Sequence, residues 1–369
     1  MNILLITSRL GEQSGWERYS SDLAHSLLGS GAHIEVVCQE KNTVFNNIPQ
    51  TALLPNPLQS KKNYILAPWY ALRIARQYRQ SGITVVHCLV EPYAFIATLA
   101  GFFLRVPYIV TIHGSFGIKP FAHSLYGKIH KYGFSRARCV VAISNYSKRR
   151  ISEYMQLRNV RVIPNGVNIA KFLDNDGHTT IKDPVLIGVG DVKHRKGYHL
   201  VVEALKDVKK IFPGAHYHIV GDQSDKKYVD HLHGKIKKYG LEENVSFHQH
   251  ISDEELKDLY HKSRIFILTP ISGKYDFEGF GLVYLEANAS GLPVVGTHNS
   301  GGEDAINDGY NGFLTDPEDT TSIAQKIVTL LENDRLCDRM SQNGRIHARN
   351  LSWGNVVKQY LEVYNDALK

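Results

Sequence analysis

Cysteine is scarce in this sequence. Cys38, Cys88, Cys139 and Cys337 are the only four in 369 residues, and none forms a CxxC pair. That spacing argues against a disulfide framework or a zinc site and fits a reducing, cytoplasmic setting. Most of the four sit in or beside apolar runs, where a thiol behaves as a small buried hydrophobe. No stretch reaches about 18 uninterrupted apolar residues, so no membrane-spanning helix is expected. The opening "MNILLITSRLGEQSG" has no basic n-region and no small-residue cleavage site, and it reads as a first strand, not a leader. There is no low-complexity segment and no repeat of solenoid length. No RNA-binding motif interleaves the basic residues, so nucleic acid is not expected as a partner.

What is present is an ordinary globular composition on a chain too long for one core, which suggests two domains. The formal net charge of +7 suits phosphate-bearing ligands or an anionic membrane surface without choosing between them. Strand and helix patterns alternate from "NILLIT" through "HIEVVC", "ITVVHCLV", "PYIVTIHG" and "RCVVAIS". The alternation stops where Pro, Asn, Asp and Gly accumulate near residues 169–183, as in a linker. It restarts at "VLIGVG" and runs to "PVVGT". The predicted class is α/β: two doubly wound, Rossmann-like domains of parallel strands, facing across a cleft. Their expected spans are 1–168 and 184–351, with an amphipathic tail helix at 352–369.

In open parallel sheets, ligands bind beyond the carboxyl ends of the strands. The loops after strands are therefore the candidate sites. Gly11 and Gly15 flank the loop after the first strand, where backbone N–H groups at a helix start suit an anion or an ordinary βα turn. His113 ends the strand of "TIHG" and suits a substrate contact or a strand-end structural role. In "GVGDVKHRKGYHL", Gly188 and Gly190 permit close approach, and Arg195 and Lys196 stand just before a helix. Cations at the positive end of a helix oppose its dipole. A bound diphosphate accounts for that cost; a solvated basic loop is the bland alternative.

The segment "EGFGLVYLEANASGLPVVG" places Glu278 and Glu286 eight positions apart, with the helix expected to begin near Gly279–Gly281. Eight helical residues rise about 12 Å. That separation matches the two ends of a folded nucleotide sugar. A capping Glu278 and an exposed Glu286 form the competing reading. Other groupings suggest no metal. Asp174–Asp176 has the spacing of a chelating DxD but sits in the linker, and a turn is the simpler reading. His216 and His218 share a strand face without a further ligand, and His231 and His233 diverge on a helix.

In this order, the motifs resemble the retaining, metal-independent glycosyltransferases of family 4, which have the two-Rossmann GT-B fold. The E-x7-E motif from Glu278 to Glu286 is the most specific element. "TIHG", "VAISNYSKRRI", "VIPNGVNIAKF", "HIVGD" and "DGYNGFLTDPED" support it. The resemblance implies an N-terminal acceptor domain and a C-terminal donor domain, with the tail helix packing back on the first. It implies that Glu286 binds the donor ribose and Glu278 lies near the transferred sugar. Arg195 and Lys196 would neutralise the diphosphate, and His113 would contact the sugar. Gly15 and Gly190 would line the phosphates, with the amides of Gly279, Phe280, Gly281 and Leu282 on sugar or phosphate. Backbone at His250 and Ile251 would meet the base. Asp191 stands where the family often has arginine, and Ser14 where it has a glycine.

The implied reaction moves a hexose from a UDP-, GDP- or ADP-sugar, with no metal or other cofactor, to a glycan, lipid-linked or envelope acceptor such as lipopolysaccharide. Two basic-aromatic stretches, with Trp69, Tyr70, Phe121 and Tyr126, suit either an anionic membrane or ordinary packing. Cytoplasmic location, with peripheral attachment, is the matching expectation. A nucleotide-sugar 2-epimerase on the same fold, or a catalytically weak binding module, are the alternatives.

Overall fold

The computed structural model describes residues 1–12, 14–172 and 183–369. The chain forms two compact units. One is Met1–Gly166 together with Trp353–Lys369; the other is Val167–Ser352. The Asp174–Asp176 triplet and most of the expected linker lie outside the described residues.

The first unit runs β1 (Asn2–Ile6), α1 (Gly15–Gly29), β2 (His33–Cys38), β3 (Gln50–Ala52), α2 (Ser60–Tyr78), β4 (Val85–Cys88) and α3 (Ala94–Leu104). It continues with β5 (Tyr108–Ile112), α4 (Ser115–Ile118), α5 (Ser124–Ser135), β6 (Cys139–Ala142), α6 (Asn145–Ser152) and β7 (Val160–Val162). Its seven strands are all parallel, in the order β3-β2-β1-β4-β5-β6-β7. Helices cover such a sheet on both faces, so its central strands are buried on both sides and largely apolar. Leu4 and Leu5 of β1 and all five residues of β5 are buried accordingly.

The second unit runs β8 (Val185–Val189), α7 (Tyr198–Ile211), β9 (His216–Val220), α8 (Lys226–Tyr239), β10 (Val245–His248), α9 (Asp253–Lys262) and β11 (Ile265–Ile267). It ends with α10 (Leu282–Ala289), β12 (Val294–Thr297), α11 (Gly302–Ala305), β13 (Gly312–Thr315), α12 (Thr320–Glu332) and α13 (Asp334–Asn350). The six parallel strands lie in the order β10-β9-β8-β11-β12-β13. Both expected doubly wound sheets are thus present. Strand order reverses between β1 and β4 in one unit and between β8 and β11 in the other. Those reversals leave crevices at the strand carboxyl ends.

The last helix, α14 (Trp353–Leu368), belongs to the first unit, as expected of the tail. Its polar anchors lie inside an apolar core. The Tyr360 and Tyr19 hydroxyls are 2.7 Å apart, and the Tyr364 hydroxyl is 2.6 Å from His87 Nδ1. The Trp353 indole donates to Asp22 at 2.9 Å. The opposite ring nitrogen of His87 meets Thr111 Oγ1 at 2.8 Å. Burial holds His87 neutral, pulling its pKa down to about 3, with the His113 charge adding to the effect. A buried network of this kind is costly to leave half-made. All four cysteines are free and buried.

Candidate functional site

The second unit gathers its chemistry at the β8/β11 reversal. After β8 the backbone turns at Gly190, whose φ of 144° leaves the Lys196 side chain beside it. A Cβ on Gly190 would stand 3.3 Å from Lys196 Cε. The next glycine, Gly197, has φ 75° and caps α7 without a side-chain hydrogen bond. A Cβ there would lie 1.8 Å from the Thr269 carbonyl oxygen, so only glycine fits. The Thr269 hydroxyl donates to Gly197 O at 2.8 Å, and the Ile271 N–H donates to Arg195 O at 2.8 Å. These bonds fix the basic turn His194–Lys196 against the segment that follows β11.

That segment carries Glu278. Arg195 Nη1 donates to Glu278 Oε2 at 2.9 Å, and Lys196 Nζ donates to the same oxygen at 2.7 Å. Lys196 and Glu278 are largely buried, with side-chain exposures of 11% and 13%. Burial alone pushes the Glu278 carboxyl up. The charges and hydrogen bonds of Lys196 and Arg195 outweigh it and bring the pKa down to about 2. The carboxylate is therefore ionised at neutral pH, and two cations share it. Asp191 does not join them directly, because Lys193 holds it at 2.5 Å. Burial raises the Asp191 carboxyl, but the bond and charge of Lys193, with Lys196 and Arg195 nearby, leave it below its ordinary range. Around the turn there are three cations, Lys193, Arg195 and Lys196, and two carboxylates, Asp191 and Glu278. Within these ion pairs one positive charge is in excess, in a partly desolvated setting that favours an anion.

A bound diphosphate was the expected offset for two cations at a helix start. The structure corrects this in part: Glu278, 83 and 82 residues away along the chain, already offsets one of them.

The helix boundary also differs from expectation. α10 starts at Leu282, with Gly281 as its left-handed cap at φ 77°. Gly279 and Phe280 lie before it. A Cβ on Gly281 would stand 2.6 Å from the Tyr284 ring, so the ring's seat against the core dictates the turn. The ring is fixed in turn by its hydroxyl, which donates to Leu268 O at 2.7 Å. Only residues 282–286 of the Glu278–Glu286 interval are helical, and these rise about 6 Å. The 12 Å helical separation therefore does not apply. The helix start has no side-chain cap, so its first amides are not taken by a capping group.

Glu286 is buried on α10, with 3% exposure. The Tyr260 hydroxyl of α9 stands 3.5 Å from its Oε2. The exposed-surface alternative for this residue is excluded. His250 and Ile251 occupy the turn between β10 and α9. His250 has φ 56°, rare for a residue with a side chain, and a capping box of Ser252 and Glu255 starts α9 directly behind it. A backbone held this way presents its polar groups in a fixed direction.

In the first unit, His113 follows β5. Its Nε2–H donates to Leu89 O at 2.7 Å, which leaves Nδ1 as the acceptor. Burial lowers its pKa to about 4 against that bond, so it is neutral at pH 7. Tyr19 packs edge-on against the ring at 4.4 Å between centroids. Gly15 is the first residue of α1, and the Ser14 hydroxyl caps that helix by accepting from the Glu17 N–H at 3.3 Å. The serine in the family's glycine place is thus an ordinary extended cap, with φ −130°. A Cβ at Gly15 would meet nothing within 4 Å.

Two site elements escaped the sequence reading. Glu91 follows β4, fully buried at the β1/β4 reversal. Its Oε1 accepts the His113 N–H at 2.7 Å and the Gly114 N–H at 3.1 Å. Burial lifts its carboxyl to about 7 although these bonds pull it down. An acid directly after an apolar strand was the signal available for it. The other is Gly301, whose N–H donates to Glu278 O at 2.8 Å, and which has no room for a side chain against Gly279.

Among the described residues, no group of three or more His, Cys, Asp or Glu is placed to hold a metal ion. His218 Nδ1 and His248 Nε2 do stand 3.0 Å apart, beside His216. No helix among the described residues is long and apolar enough to cross a membrane.

Comparison with known proteins agrees with this fold. A family model described as glycosyl transferases group 1 matches residues 172–347, and one described as glycosyltransferase family 4 matches residues 13–171. An uncharacterized glycosyltransferase of Methanocaldococcus jannaschii is 26% identical over 88% of this chain and 86% of its own length. The capsular polysaccharide biosynthesis glycosyltransferase CapM of Staphylococcus aureus is 27% identical over 74% of each. The mannosylfructose-phosphate synthase of Agrobacterium fabrum is 28% identical over 60% of this chain, a match spanning about half (49%) of that enzyme. Among solved structures, Anabaena HepE in complex with UDP superposes with a TM-score of 0.81 at 21% identity, covering 99% of this chain and 100% of that one. At that identity, the likeness speaks for the fold, which is the GT-B architecture.

Proposed function

The chain belongs to the family 4 glycosyltransferases, and from that premise we propose that it transfers a hexose from a nucleotide-diphosphate sugar, with retention and without a metal. The observation that carries this reading is the pair Arg195 and Lys196 converging on one Glu278 oxygen with positive charge left over. A diphosphate leaving group gathers negative charge as its bond to the anomeric carbon breaks. Fixed cations in a water-poor site stabilise that charge without reorganising. They supply what a divalent ion supplies elsewhere. The UDP complex of HepE supports a nucleotide ligand on this fold.

The second unit is the donor unit in this reading. Arg195 and Lys196 take the diphosphate, with the amides at Gly279, Phe280, Gly281 and Leu282 on the sugar and phosphates. Glu286 accepts the ribose hydroxyls, and the His250–Ile251 turn receives the base. Glu278 orients the two cations and lies beside the sugar. His113, neutral with Nδ1 free to accept, is assigned to a sugar hydroxyl, and Glu91 positions it through the backbone. The anomeric carbon loses the phosphate oxygen and gains the acceptor oxygen on the same face. The acceptor proton passes to the departing phosphate oxygen, so no protein nucleophile is required.

The first unit holds the acceptor, a glycan or a lipid-linked or envelope polysaccharide, at the cytoplasmic face of a membrane. The name of the CapM relative supports that acceptor class. A thermal-shift panel of UDP, GDP, ADP and their sugars, each with and without chelator, tests the proposal. One nucleotide series should raise the melting temperature with chelator present. No shift from any of them would refute the donor reading. Sugar epimerised with donor alone would refute transfer.

A further inference from the structure

The net positive charge of this chain is confined to one stretch. Between Lys41 and Ser152 there are fifteen Lys or Arg and a single acidic residue, Glu91, which is fully buried. The rest of the chain carries 28 Lys and Arg against 35 Asp and Glu. The surface built by residues 41–152 therefore presents no carboxylate side chain at all.

Three helices of that stretch, α2, α3 and α5, pack on one another in the first unit. α2 is apolar on two sides. Tyr64, Ala67, Ala71, Ile74 and Tyr78 recur at helical spacing and are buried. On the opposite side Ile65, Leu66, Trp69 and Leu72 are exposed, at 73%, 43%, 51% and 41%. Spacings of three and four place them on one outward stripe. Lys61, Lys62, Arg73 and Arg76 are exposed around that stripe, and the Arg73 guanidinium lies 4.7 Å above the Trp69 ring. Phe102 at the end of α3 is 74% exposed, and Leu125 on α5 is 63% exposed, with Lys128 and Lys131 also exposed on α5.

We infer that the outer face of α2, with the end of α3 and α5, docks on an anionic lipid bilayer. The inference deepens the proposed function and rests on its membrane-borne acceptor. Charge complementarity names an anionic partner, since each basic residue near an anionic surface adds to binding. The apolar stripe selects between anionic partners. A polyanion in water gains nothing from Ile65 or Trp69, whereas the headgroup–acyl boundary of a bilayer accepts both.

The test uses the full chain and vesicles of phosphatidylcholine, alone or mixed equally with phosphatidylglycerol. Sedimentation with the mixed vesicles and not with phosphatidylcholine is expected, weakened by salt. Lys61→Ser with Lys62→Ser should lower the partition coefficient roughly 30-fold. Ile65→Ser with Trp69→Ser, on exposed positions that leave the fold intact, should lower it comparably. Trp69 is the most exposed of the three indoles, so a blue shift on mixed vesicles, absent in Trp69→Phe, should report its insertion. Absence of sedimentation overturns the proposal. So does binding that ignores the Ile65/Trp69 pair and is matched by heparin, which marks a polyanion site. Donor-induced thermal shifts, measured in parallel, separate the two ideas. A shift without vesicle binding sinks the docking face alone, and vesicle binding without a shift sinks the donor reading alone.

Discussion

Replacing Glu278 by glutamine keeps the shape of the side chain and removes the charge that Arg195 and Lys196 share. The structure allows the cost to be sized. The carboxyl pKa falls from 4.5 to about 2 in the fold. At about 1.4 kcal/mol per pKa unit, the ionised form gains about 3 kcal/mol over the neutral form at pH 7. The sign follows from the depressed value: this stability is present above about 4.5 and is lost as pH falls through about 2. Glu278→Gln should therefore unfold more easily at pH 7 by about 3 kcal/mol. For a unit of this size, that is roughly 6–12 °C in melting temperature. The same change frees two cations for an external anion. UDP at 100 times its dissociation constant stabilises by about 2.7 kcal/mol, and the variant should bind it more tightly than the parent does. Its UDP-induced shift should then exceed the parent's, while its turnover falls. Differential scanning fluorimetry with and without UDP reads both quantities. A variant as stable as the parent, with an unchanged UDP shift, would refute the idea that the carboxylate and the nucleotide compete for one pair of cations.

Lys196→Ala leaves Glu278 paired with Arg195, so the fold should persist while turnover drops 100-fold or more; near-parental rates in a donor-hydrolysis or transfer assay would remove its role. Gly281→Ala forces a side chain into a left-handed cap and against the Tyr284 ring, and should cost about 1–3 kcal/mol by urea titration. Tyr360→Phe strips a buried partner from Tyr19 and should cost about 1–3 kcal/mol in the unfolding of the first unit. Acid should weaken that unit. Burial holds His87 near 3 and His113 and His130 near 4, below the unfolded 6.5. Their contribution is complete above about 6.5 and fades as pH falls towards 4. At pH 5 each costs about 2 kcal/mol, and Glu91, raised to about 7, offsets about 2–3 kcal/mol in the opposite sense. A net loss of about 3–4 kcal/mol between pH 7.5 and 5 should appear in denaturant curves, and a flat profile would count against neutral buried histidines.

The long strands were readable because parallel strands covered on both faces are mostly apolar, as "NILLI" and "YIVTI" are apart from Asn2 and Thr111. The three-residue edges β3 and β7 are only partly buried and carry Gln50, Thr51 and Arg161, so their pattern was faint. Both glutamates of the E-x7-E segment, and the cations after β8, were visible from their places near strand ends. The coupling between Glu278 and Arg195 was not, since 83 residues separate them and only the β8/β11 pairing brings them together. The start of α10 was misplaced by its glycines: Gly281 serves a left-handed cap fixed by Tyr284, not a helical turn. Glu91 was passed over because its partners are backbone amides, which no residue type announces.

The central claim is that the turn holding Arg195 and Lys196 receives a donor's diphosphate while Glu286 takes its ribose. A crystal structure of the full chain with UDP-glucose tests it most directly. The account predicts phosphate oxygens within hydrogen-bond distance of Arg195 and Lys196, and the ribose hydroxyls on the Glu286 carboxylate. A nucleotide bound elsewhere, with Glu278 still holding both cations as it does in this structure, would contradict it.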